Sequence, residues 1–275
     1  MALAGSGPLV VLVHGYPQFW WAWRHQIPAL ASAGYRVAAV DLRGFGASDK
    51  PPTGYDAPTA CDDLAAIIRS LGADDAAIVG LGLGAWITWS MPTHQPAVTT
   101  AIAPIGMPHP AIFHRAMWRH PLQWRANQYL RAMQAPFASE RQALTVTRRL
   151  RAWSGPDHGW ITAETADRYT EAMAVPFAGQ AAAEYHRWFY RCRLTPTGVR
   201  YLHRVGARID TPVLHLQGEQ DPTSLPVMGQ ESRRFVDAAM TLTDIPGVGH
   251  FLPEEAPAAV SSALIAWLAV AHPSR

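Results

Sequence analysis

The chain has 275 residues and is 49% hydrophobic, enough for one large domain or a core with an insertion. A formal net charge of +2 argues against a general nucleic-acid binder, and two cysteines, Cys61 and Cys192, cannot make a disulfide framework. No apolar run approaches the roughly 20 residues a membrane helix needs, and no signal peptide precedes the first apolar run, so a cytoplasmic protein with no transmembrane segment is expected.

Residues 8–13 (Pro-Leu-Val-Val-Leu-Val) are continuously apolar and read as a strand buried on both faces of a parallel sheet. His14-Gly15-Tyr16-Pro17 follows. Residues 19–30 have helical spacing, with Trp20, Trp23, Ile27 and Leu30 on one side. Residues 35–42 read as the next strand, ending in the glycine-rich Asp41 to Asp49 loop. An amphipathic helix is expected over 58–71, with Leu64, Ile67, Ile68 and Leu71 as its stripe. Strands are expected over 76–81 and 98–105. This alternation predicts an α/β fold with a mostly parallel sheet and helices on both faces.

After His109 the character changes. Eight arginines and a single acid, Glu140, fall between His109 and Arg151. Helical patterns rich in aromatics continue to about residue 204, with no buried-strand pattern. Strands return at 212–216, before Gly218-Glu219-Gln220-Asp221, and at 240–245, before Gly247-Val248-Gly249-His250. A closing helix is expected from about Glu254, carrying Val260, Leu264, Trp267 and Leu268. Domain bounds follow: a core of 1–107 and 205–275, and a helical insertion of 108–204.

The stretch Gly80-Leu81-Gly82-Leu83-Gly84 joins an expected strand to an expected helix. Its outer glycines have the Gly-x-nucleophile-x-Gly spacing of a nucleophile elbow. Its central residue, Gly82, can offer no hydroxyl, thiol or carboxylate. The same glycines also fit a dinucleotide fingerprint. That reading needs an acid about 20 residues on to hold the ribose, and no Asp or Glu occurs between Ala76 and Ser139. Cys61 lies beside Asp62 and Asp63, whose charges disfavour a thiolate. The 12 histidines show no His-x-x-x-His pair with a helical acid, so neither a metal nor another cofactor is called for.

The order His14-Gly15-Tyr16-Pro17, Asp41-x-Arg43-Gly44-x-Gly46-x-Ser48-Asp49, elbow, helical insertion, Gly218-x-x-Asp221 and Gly247-x-Gly249-His250 resembles the α/β-hydrolase superfamily. Within it the chain resembles the epoxide-hydrolase-like branch in its actinobacterial form, over nearly its whole length. The resemblance implies an α/β-hydrolase core with a helical cap over the active site. It implies His250 as the base, Asp221 as its orienting acid, and the backbone N–H groups of Tyr16 and Leu83 as oxyanion donors. Tyr185 matches the second of two cap tyrosines that donate to the epoxide oxygen.

The departures are as informative. Gly82 stands where the branch has its aspartate nucleophile, and Leu81 where it usually has histidine. Ahead of Gln134-Ala135-Pro136, Arg131-Ala132-Met133 stands where the first cap tyrosine is expected. The family's first two edge strands are expected to be missing, leaving a sheet edge that invites pairing into a homodimer. The implied function is a residual or altered hydrolase acting on a small apolar molecule, an epoxide or ester, through water activated by His250. The alternative is a catalytically inactive relative that binds an apolar ligand, or a partner through the cap. Trp86, Trp89, Trp118, Trp124 and Trp188 are candidates for the pocket lining. His14 and the Asp41 loop are expected to be structural.

Overall fold

The structure, a computed structural model, describes residues 1–135, 137 and 142–274. Seven strands form one sheet: β1 (Ala2–Ala4), β2 (Leu9–Val13), β3 (Arg36–Val40), β4 (Ala76–Leu81), β5 (Thr99–Ile105), β6 (Val213–Gly218) and β7 (Met240–Ile245). Their spatial order is β1-β3-β2-β4-β5-β6-β7. Every neighbouring pair is parallel except β1 with β3. Every residue of β2, β4 and β6 is buried, as strands covered on both faces must be. Burying a side chain such as Ile78 or Leu12 is worth about 1.5–3 kcal/mol, and most of this apolar surface lies in one cluster.

The helices of the first half are α1 (Gln26–Ser32), α2 (Ala57–Ser70) and α3 (Leu83–His94). Asp56 caps α2 by accepting from the Thr59 N–H at 2.9 Å. Between β5 and β6 the described chain is helical: α4 (Pro110–Arg119), α5 (Pro121–Ala126), α6 (Gln128–Ala132), α7 (Gln142–Trp153), α8 (Ala163–Ala174), α9 (Ala178–Arg191) and α10 (Pro196–Val205). The chain closes with α11 (Val227–Ser232), α12 (Leu252–Glu255) and α13 (Pro257–Ala271). Among these, α1 packs with α13 and α2 with α3.

Three expectations are corrected. An edge strand does precede the first buried one: β1 pairs antiparallel with β3, Leu3 opposite Ala38. Three residues are too few to carry a periodicity. The helix expected over 19–30 is broken into a 3-10 turn, Trp20–Trp23, and α1. Pro28 is the cause: inside a continuous helix it would strike the carbonyl of residue 24, whereas in the first turn of α1 it is tolerated. The closing helix is likewise split, because Pro257 drives Ala256 out of the helical region, to φ −137°.

The approach of α3 to β2 sets where the elbow turn sits. A Cβ on Gly84 would overlap the carbonyl oxygens of Val13 and His14, and backbone oxygens cannot swing aside. Gly84→Ala is therefore expected to destabilise the protein by about 1–3 kcal/mol. The check is a lower urea midpoint at an unchanged m-value; an unchanged midpoint would mean that helix and strand can part here.

Candidate active site

The turn between β4 and α3 holds Gly82 at φ +52°, ψ −107°, a backbone region that L side chains rarely adopt. The turn is fixed by the Gly82 N–H donating to the Ile105 carbonyl and the Trp86 N–H donating to the Gly82 carbonyl, both at 3.0 Å. Gly82 thus sits at the C-terminal end of β4, where open α/β sheets bind ligands.

Two loops bring Asp221 and His250 to the same place. Asp221 follows β6, and its Oδ1 accepts from the Thr223 N–H at 2.8 Å and the Thr223 hydroxyl at 2.7 Å. Its Oδ2 accepts from His250 Nδ1 at 2.8 Å. With Nδ1–H committed to the carboxylate, Nε2 carries the lone pair. That nitrogen stands 2.7 Å from where a Cβ on Gly82 would be. The ring therefore fills the space that the first atom of a side chain at 82 would occupy.

The His250 loop is tied to the helical insertion. The His250 N–H donates to the Trp153 carbonyl at the end of α7, at 2.7 Å. One carboxylate secures both sides: Glu255 Oε2 accepts from the Gly155 and Gly249 N–H groups at 2.7 and 2.8 Å, and Oε1 from the Phe251 N–H at 2.8 Å.

A cavity opens above these groups, bordered by Gly82, His250, Tyr16, Leu83, Tyr129 and His186 among others. The backbone N–H groups of Tyr16 and Leu83 have no acceptor among the described residues. The Tyr16 hydroxyl is turned aside, donating to Gln142 Oε1, and burial pushes its pKa up to about 12. Among the described residues no cluster of three or more His, Cys, Asp or Glu could hold a metal ion.

Tyr185 borders the cavity, and its ring packs on Tyr55 and Phe45 at 5.4 and 6.1 Å. Its hydroxyl is buried without a hydrogen-bond partner among the described residues, and burial, then the charge of Asp63, raises its pKa. Other polar residues bordering the cavity are ones that sequence reading missed. Tyr129, on α6, packs on Trp153 at 4.8 Å and feels the charge of Asp221. His186 is adjacent to Tyr185 on α9 but packs on Tyr16 at 5.0 Å and Tyr129 at 5.8 Å. Its Nδ1 lies 2.6 Å from the Ala182 carbonyl, and burial lowers its pKa to about 4, so it is neutral at pH 7. Thr223 was also missed. The signals were faint: Tyr129 lies five residues before Gln134, and Thr223 two after Asp221.

Other candidates have structural places. His14 is buried, its Nδ1 2.7 Å from the Gly15 carbonyl and its Nε2 accepting from the Leu42 N–H. Asp41 binds the N–H groups of Trp20 and Ala47. Burial, then the charges of Asp62 and Asp56, raises the Cys61 thiol. Trp86 borders the cavity, Trp188 packs on it, and Trp89 donates to the Met107 carbonyl in the core. Trp118 and Trp124 are on the outer surface.

Beside the Tyr16 loop, Glu254 is buried between Arg24, which donates to its Oε1, and Gln18, which donates to its Oε2 at 2.5 Å. Burial nevertheless pushes the carboxyl up to about 7.

The profile of a family described as the alpha/beta hydrolase family matches residues 10–263. An AB hydrolase superfamily protein, YfhM of Bacillus subtilis, is 32% identical over 196 residues, 68% of this chain and 68% of that one. Epoxide hydrolase A of Mycobacterium tuberculosis is 28% identical over 302 residues, 96% of this chain and 91% of that one. The crystal structure of Epoxide Hydrolase A from Mycobacterium thermoresistibile superimposes with a TM-score of 0.79 at 27% identity, covering 98% of this chain and 93% of that one.

Two outcomes are expected from this geometry. Asp221→Asn should shift His250 toward the Nε2–H tautomer, seen in its ring nitrogen chemical shifts; an unchanged tautomer would give that role to Thr223. Glu254 holds its proton more tightly folded than unfolded between pH 4.5 and about 7, so its contribution to stability falls as pH rises through that window. Glu254→Gln should gain on the wild type in unfolding free energy between about pH 5 and about pH 8. A pH-independent difference would contradict this.

Proposed function

The chain belongs to the alpha/beta hydrolase family, on its epoxide-hydrolase-like side, and we propose that it hydrolyses a small apolar epoxide by direct attack of water, without a covalent ester at position 82. The observation that carries this reading is the place of His250 Nε2: tethered through Nδ1 to Asp221, it presents its lone pair to the cavity in the space a side chain at 82 would begin to fill. The relatives named as epoxide hydrolases, matched along more than nine-tenths of this chain, support the substrate class.

In the proposed reaction His250 Nε2 takes a proton from water as the water oxygen bonds to an epoxide carbon. The C–O bond of the ring breaks, and the ring oxygen takes a proton from the Tyr129 hydroxyl. Tyr129 regains a proton from the imidazolium, and a diol leaves. The N–H groups of Tyr16 and Leu83, unpaired among the described residues, would position the attacking water beside His250 Nε2. They would serve an activated ester equally, holding its oxyanion. The insertion over 108–204 acts as a lid, with Tyr129 and His186 as its polar contribution. Tyr129 takes this donor role, and Tyr185, which also borders the cavity, is the second candidate for it.

General-base catalysis contributes about 10²–10⁴-fold, so turnover should be slow and lost in proportion. A panel of small epoxides and activated esters should be turned over by the chain as it stands, with kcat down about 10²–10⁴-fold in His250→Ala. Gly82→Ala, whose Cβ would press on Nε2 at 2.7 Å, should also lower kcat. Undiminished turnover in His250→Ala would overturn the mechanism. No turnover, with an apolar ligand bound equally by both proteins, would assign the fold to binding alone.

A further inference from the structure

The outer face of the helical insertion pairs exposed apolar side chains with arginines. On α4 and α5, Trp118, Leu122 and Trp124 are 49%, 61% and 47% exposed. Arg115, Arg119 and Arg125 alternate with them, all exposed and none in an ion pair among the described residues. From His109 to Ala135 the sequence contains no Asp or Glu. Two grooves flank α4. One is walled by Arg115, Arg119, Arg193 and Arg234 over Ile112 and Phe235. The other continues past Arg115 and Arg119 to Leu225 and Val227, where Glu231 is the single acid and already lies 3.4 Å from Arg234.

A solvated basic face needs no protruding tryptophans, and a run of unpaired arginines with no neighbouring acid is complemented by an anionic surface. Tryptophan and leucine standing beside arginine is the composition that lies in the interfacial layer of a bilayer, rings among headgroups and guanidiniums on phosphates. We propose that this face, α4–α5 with Arg193 and Arg234 at its border, docks on an anionic phospholipid surface. The contact is peripheral, since no helix among the described residues is long and apolar enough to cross a membrane. The grooves fit a headgroup phosphate against arginine over an apolar floor. The buried face of α4 carries Phe113 into the cavity wall, so docking would set the cavity beside a source of apolar molecules. The proposal does not depend on the reaction proposed above.

The test is sedimentation of the full chain with vesicles of phosphatidylcholine, with and without phosphatidylglycerol. At low salt the chain should partition onto the anionic vesicles and not the neutral ones, and high salt should release it. Arg115→Gln with Arg119→Gln should lower partitioning about thirtyfold, at about fivefold for each arginine. Trp118→Ser with Trp124→Ser should also weaken it and abolish the blue shift of tryptophan emission, with urea midpoints unchanged in both variants. Failure to bind anionic vesicles at low salt, or equal binding by the variants, would overturn the proposal. So would binding of soluble polyglutamate or nucleic acid without vesicle binding, which would assign the face to an acidic macromolecule.

Discussion

A single methyl group on Gly84 would strike the carbonyl oxygens of Val13 and His14, and the site is built around that close approach. It brings the start of α3 against the end of β2. Leu83 and Tyr16, whose N–H groups have no acceptor among the described residues, therefore border one cavity although they come from different elements. The turn at Gly82 is held at positive φ. An L residue there would carry strain, which families of this fold sustain for the sake of a nucleophile. Here the turn keeps its shape with no side chain to present, and the ring of His250 takes the space.

The position of that ring depends on more than Asp221. Its backbone N–H is held by Trp153, and the Glu255 carboxylate spans Gly155 on the insertion and Gly249 on the His250 loop. The end of α7 and the loop are therefore one hydrogen-bonded unit, and Trp153 packs on the His250 ring at 5.5 Å. Any shift of α7 is transmitted to Nε2. Next to the cavity, Arg149 lies 4.8 Å over the Tyr16 ring and 5.2 Å over the Trp153 ring. Its charge opposes protonation of His186 and eases ionisation of Tyr129.

Much of this was legible because turns and strand ends are written locally. The elbow glycines, the loops after β6 and β7, and the buried strands each follow from a few adjacent residues, and the fold brings Asp221 and His250 together as their order after consecutive strands suggested. What was not legible is rotational. Tyr185 and His186 are neighbours on α9, so their side chains diverge by about 100°, one helical step. A reading from sequence order singled out Tyr185, which borders the cavity, and passed over His186, which packs on Tyr16 and Tyr129. Tyr129 escaped because it lies two residues before the Arg131-Ala132-Met133 triplet where the first cap tyrosine was expected. The edge strand β1 was too short to show a pattern. The helices at 19–30 and 252–271 were broken by Pro28 and Pro257, whose effect depends on where each helix starts.

The central claim is that water, and no side chain at 82, attacks the substrate. The most direct test is a single turnover of a small aryl epoxide, with protein in excess, in water enriched in heavy oxygen. Direct attack predicts that the diol from the first turnover carries the heavy label. A first-turnover diol that is unlabelled, its new oxygen drawn from a protein carboxylate, would contradict the account and point to a nucleophile elsewhere in the cavity.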